Sequence, residues 1–143
     1  MQVLKILSDI WKSGAEMKVD SAGQIELKKH QLVPAETMKA AESIFLEIEK
    51  WFQSWKSESN ENITLMKMVH HICGWQHNEK LNEWLCADID SLMMFDEWMT
   101  SLAKDGWNDI YEDFRQYANA ESIKLGQELY KRAVMYAKKR GMK

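Results

Sequence analysis

Val3, Leu4, Leu7, Ile10 and Trp11 recur at the three- and four-residue steps of a helix, with Lys5, Asp9 and Lys12 on the other side. Ser13 and Gly14 close that pattern with a glycine stop. The period then falls to two: Met17 and Val19 alternate with Glu16, Lys18 and Asp20, and Ile25 and Leu27 with Gln24, Glu26 and Lys28. Two short strands are expected, joined into a hairpin by a turn at Ser21, Ala22 and Gly23. Pro34, the only proline, suits the first position of a helix, and Glu36 follows in the positive end of its dipole. From there Met38, Ala41, Phe45, Ile48, Phe52 and Trp55 form an apolar stripe, widened by Ile44 and Trp51, which predicts one helix or two in line over 34–56.

Residues 56–62 hold no apolar side chain, so a linker is expected over 57–62. Beyond it the period-two signal is gone, and helices are predicted over 63–75, 78–88, 90–104, 107–118 and 120–139. Breakers fall at Gly74, at Asp105 and Gly106 and around Asn119, and Asn119 or Ser91 suits a helix cap. The expected fold class is therefore a mostly helical α+β chain. An αββα(α) domain over 1–56 precedes an all-α helical bundle over 63–143.

The chain has 143 residues, 45% hydrophobic, with a net charge of −3, enough apolar surface for a core and too little charge for disorder. Charged or polar residues interrupt every apolar run before it reaches membrane-spanning length, so no membrane partner is expected. The first residues lack the pattern of a signal peptide, which points to a cytoplasmic chain in which Cys73 and Cys86 are free, buried thiols.

The Leu4-x-x-Leu7 helix ending at Gly14, the hairpin on Met17-x-Val19 and Gln24-Ile25-x-Leu27, and Leu32-x-Pro34-x-Glu36 leading into a helix together resemble the TubC N-terminal docking domain. The resemblance implies an αββαα docking-type domain over 1–56, bacterial or mobile-element origin, and an exposed second strand that receives a short peptide from a partner protein. On this chain the partner-binding residues it implies are Ile25, Glu26, Leu27, Lys28 and Lys29. At the junction of the last two helices, where the family often carries a basic residue, this chain has Ser43-Ile44-Phe45-Leu46. Without the family, an unpaired strand edge is a template for an added strand unless charge or a covering element blocks it, and Glu26, Lys28 and Lys29 could either protect this edge, leaving a purely structural hairpin, or select a charged peptide.

The second half offers less chemistry. On a continuous helix His70, Cys73 and His77 would share a face, with Cys86 as a fourth ligand, which is the alternative of a zinc-binding helical protein. No phosphate-binding loop, dinucleotide fingerprint or nucleophile elbow occurs, no doubled carboxylate motif assembles, and no cofactor is implied. A non-enzymatic adaptor or inhibitor is expected. Residues 79–113 carry ten acids against two lysines, a net of −8 that could imitate a phosphate backbone. The end carries Lys131, Arg132, Lys138, Lys139, Arg140 and Lys143 without an acid, so a nucleic-acid-associated role is a further alternative, disfavoured by an overall pI near 5.8. Leu92, Met93, Met94, Phe95, Trp98 and Met99 exceed one face of a helix, which predicts a central core helix or a homodimer interface.

Overall fold

A computed structural model describes residues 3–19 and 24–141. It is mostly helical, with seven α-helices and one two-stranded antiparallel sheet among the described residues. The chain divides into two compact units, Met1–Glu58 with Ile72–Gln76, and Ser59–His71 with His77–Lys143.

In the first unit α1 (Val3–Lys12) leads through Gly14 into β1 (Glu16–Val19) and β2 (Ile25–Lys28), followed by a 3-10 turn (His30–Leu32), α2 (Ala35–Ser43) and α3 (Phe45–Ser54). Gly14 takes a φ of 98°, open to glycine at little cost, and a Cβ there would sit 3.2 Å from Leu32 Cδ1. The hairpin pairs Glu16 with Lys28, Met17 with Leu27, Lys18 with Glu26 and Val19 with Ile25. Its predicted turn at Ser21, Ala22 and Gly23 lies outside the described residues. The core gathers Leu4, Leu7, Ile10, Trp11, Met17, Ala41 and Ile48, with Leu7, Ile10 and Ile48 at 0% exposure. Trp75, from the Ile72–Gln76 turn, is also buried.

The 34–56 stripe resolves into two helices that break at Ile44. The Ser43 hydroxyl donates 2.7 Å back to the Ala40 carbonyl, the kind of bond that bends a helix, and Phe45, expected in the stripe, is exposed.

The second unit contains α4 (Asn60–Ile72), α5 (Glu79–Ala87), α6 (Ile89–Lys104), a 3-10 turn (Phe114–Tyr117) and α7 (Ala120–Gly141). Two expectations are corrected here. The polar run expected as a linker already contains the first turn of α4, because the Ser59 hydroxyl accepts the Asn62 N–H at 3.2 Å and caps the helix. Residues 107–118 do not form the predicted helix. Asp109 and Asp113 each accept the N–H two residues ahead, at 2.9 Å, and these side-chain bonds replace helical ones. The loop is held instead by Trp107, whose indole N–H donates 3.1 Å to the Glu112 carbonyl.

Trp98 is the centre of this unit, stacked on Phe95 at 5.3 Å and edge-on to Phe114 at 5.1 Å and Trp107 at 5.9 Å. Gly126 of α7 lies against it. A Cβ there would be 2.9 Å from Leu65 Cδ1 and 3.7 Å from Trp98 Nε1, so the glycine lets α7 approach α4 and α6.

Candidate functional site

The hairpin edge is defined by where its backbone groups go. The Trp11 indole N–H donates 3.3 Å to the Met17 carbonyl from outside the sheet, and from that bond we infer that the carbonyl is directed away from β2. In an antiparallel ladder that makes Met17 and Leu27 a pair that does not exchange hydrogen bonds, and the same holds two residues on for Val19 and Ile25. The N–H and C=O groups of Ile25 and Leu27 are thus directed to the outer edge of β2, and among the described residues β2 has only β1 beside it in the sheet.

The side chains sort by face. Ile25 and Leu27 are half-buried, on the face of the buried Met17, whereas Lys28 and Lys29 are exposed. On the other face Glu16 stands opposite Lys28 and Lys18 opposite Glu26, and Lys28 Nζ lies 3.6 Å from Glu26. Those opposite charges support the hairpin itself. Lys29 follows in the left-handed region at φ 59°.

The α6 run is divided by the structure. Phe95 and Trp98 are 2% exposed and belong to the core; Leu92, Met94 and Met99 are half-buried, and Met93 is 60% exposed. The run is thus shared between core and surface, because the helix period sends its members in different directions.

The basic residues of the C-terminal helix are likewise separated. Lys131, Lys138 and Lys139 are exposed, but Arg132 Nη1 is 3.5 Å from Asp88 Oδ2 and donates 3.3 Å to Ser91 Oγ, with Nε 3.9 Å from Glu128. Arg132 and Lys139 line a groove of about 340 Å³ with Asp88, Glu128, Met135 and Tyr136. The side chain of Arg140, and all of Lys143, lie outside the described residues. The acidic stretch is also partly committed to local structure: Asp88 caps α6, Asp113 pairs with Arg115 at 2.5 Å, and the Tyr117 hydroxyl donates to Glu112.

Asp88, and not Ser91, caps α6. It accepts the Ser91 N–H at 3.3 Å and the Ser91 hydroxyl at 2.6 Å, and these bonds, with the Arg132 charge, hold its carboxyl below the usual carboxylate range despite partial burial. Because the folded-state value is lowered, the stability Asp88 contributes is present above its unfolded pKa of about 3.9 and is lost as the pH falls through the lower folded value. Asp88→Asn is expected to reduce the urea midpoint near pH 7 and to reduce it by less near pH 2. An equal reduction at both would deny the charge a role.

The zinc set does not assemble. α4 ends at Ile72 and Gly74 takes a φ of 78°, so His77 leaves the helix that was to align it with His70 and Cys73. His70 is 3% exposed in the core, while Cys86 is exposed and 3.9 Å from Asn82 Oδ1 rather than buried as expected. Among the described residues no three His, Cys, Asp or Glu side chains meet as a metal site. Burial pushes the half-buried Cys73 thiol up, with Lys12 opposing, which makes it a poor nucleophile near neutral pH. What sequence reading missed is the His71–His77 pair, ring centroids 5.1 Å apart, with His71 Nδ1 accepting the Asn78 N–H at 3.1 Å and His77 bonded to Glu79 at 2.9 Å. Their spacing of six gave no signal, since only the turn at Gly74 folds one back on the other.

Fold and edge together define a mostly helical α+β chain with a small hairpin whose second strand has an outer edge, and no helix among the described residues is long and apolar enough to cross a membrane. No family model, curated protein or solved structure matches the chain.

Proposed function

We propose that this is a cytoplasmic, non-enzymatic docking protein of bacterial or mobile-element origin, which receives an extended segment of a partner protein on the outer edge of β2. A second copy of the chain is a further protein partner. The observation that carries the reading is the Trp11 bond to the Met17 carbonyl, from which, with the strand register, the outward direction of the Ile25 and Leu27 main-chain groups is inferred. An added strand satisfies those donors and acceptors, and Ile25 and Leu27 form the apolar side of the ribbon it extends. Affinity then rests on main-chain bonds, with Lys29, exposed beside the edge, selecting for an acidic neighbour on the peptide.

Charge reversal at Lys28 is a poor test, since it would put like charges beside Glu16 and Glu26 and weaken the hairpin. Ile25→Pro is better: it removes one outward N–H at the first residue of the strand, where proline is tolerated. A display library of short random linear peptides is the probe. Selected peptides are expected to bind the full chain, to shift the amide resonances of Ile25 and Leu27, and to bind at least about tenfold more weakly to a folded Ile25→Pro variant. Selection of no peptide, or of peptides that leave β2 unperturbed, would reject the reading.

A further inference from the structure

With Phe95 and Trp98 in the core, the apolar excess on the outer side of α6 reduces to Ile89 and Met93, 57% and 60% exposed. Asp96 and Thr100 continue their row at steps of three and four, and both are exposed. Asp90 and Glu97 flank the row and are exposed as well, so this ridge is apolar at one end and acidic along its length. It runs from residue 89 to 100, a rise of about 17 Å.

On α7 the exposed Lys124, Lys131 and Lys138 recur every seven residues, and Met135, 61% exposed, lies between the last two. This row rises about 21 Å over its own helix. Glu128 is its one acid, and Arg132 lies 3.9 Å from it.

The two rows cannot meet within one chain. α6 and α7 pack antiparallel through their other sides, Ser91 to Arg132 at one end, Trp98 to Gly126 in the middle and Ser101 to Asn119 at the other end. Both rows are therefore left to solvent, opposite in charge, similar in length and each with exposed apolar side chains. We propose that the acidic α6 ridge of one copy seats on the lysine row of α7 in a second copy, with Ile89 and Met93 packing near Met135. The inference rests on the docking reading only in taking a second copy as a partner, and it uses no residue of the hairpin. A contact one helix wide is small, so the association is expected to be weak, in the range of roughly ten to a few hundred micromolar.

Sedimentation velocity on the full chain, up to about 500 μM and at low and high salt, is the test. The wild type is expected to self-associate at low salt and to dissociate as salt rises. Asp96→Lys with Glu97→Lys, and separately Lys131→Glu with Lys138→Glu, are expected to give folded monomers, since each leaves both rows of like charge. Mixing the two variants should restore association, because each then offers the other a complementary row. Single reversals, Glu97→Lys and Lys131→Glu, replace any double variant that loses its helical circular dichroism. A wild type that stays monomeric, self-association untouched by either reversal, or folded variants that remain monomeric when mixed would each overturn the proposal. None of these changes touches β2, so peptide binding at that edge is unaffected by failure here.

Discussion

Trp98→Ala is expected to lower the free energy of unfolding by about 3–5 kcal/mol, measured as a shift of the denaturant midpoint of the helical signal. The ring is 2% exposed and touches Phe95, Trp107 and Phe114, so its removal leaves a cavity that three further rings cannot fill without giving up their own edge-on geometry. A domain of this size is held by only about 5–15 kcal/mol, so the variant should be close to unfolding at physiological temperature. Trp98→Phe keeps a ring in the stack and is expected to cost less. A loss below about 1 kcal/mol for the alanine variant would mean that the ring is not the centre of the unit.

Asn119→Ala is expected to cost about 2–4 kcal/mol, which is large for a half-buried polar residue. Its Oδ1 accepts the Ser122 N–H at 2.7 Å and caps α7, while the Ser122 hydroxyl accepts the Asn119 N–H at 2.9 Å in return. The same Oδ1 accepts the hydroxyl of Ser101, 2% exposed, at 3.0 Å, and Nδ2 donates 3.1 Å to the Ser101 carbonyl. Alanine thus removes a cap and leaves a buried hydroxyl and carbonyl short of partners. A double-mutant cycle isolates the hydroxyl: in a Ser101→Ala background Asn119→Ala still costs the cap and the bond to the residue 101 carbonyl, but less than in the wild type by about 0.5–1.5 kcal/mol. The same cost in both backgrounds would show that Ser101 and Asn119 are not coupled.

Local patterns were legible wherever a period held for several turns. The α1 stripe from Val3 to Trp11, the alternation around Met17 and Ile25, and the glycine stop at Gly14 translate directly into elements, because helix and strand periods follow from backbone geometry. Asn119 was legible as a cap for the same reason. The docking edge was only half legible: alternation shows which side chains share a face, but not which main-chain groups are already spent. That depended on Trp11, six residues before Met17 in sequence, donating to its carbonyl.

Composition misled where side chains answer to their surroundings. Residues 107–118 have the content of a helix, yet Asp109 and Asp113 bond their own backbone and the segment becomes loop and a single 3-10 turn. Cys73 and Cys86 were expected in the core as small apolar side chains, and one is half-buried and the other exposed. Arg132 read as part of a free basic tail, but α7 lies antiparallel to α6 and so brings it to Asp88 and Ser91.

The sequence by itself determined the succession of helices and strands outside 107–118 and the opposite charge of its middle and its end, since these depend on neighbours a few residues away and on residue type. Only the tertiary structure decided that Phe95 and Trp98 are core while Ile89 and Met93 are surface, and that His71 rather than His70 meets His77. Those outcomes depend on how far a helix is rotated about its axis and on where Gly74 turns the chain. Such rotations and turns are set by packing over many residues, which no local pattern encodes.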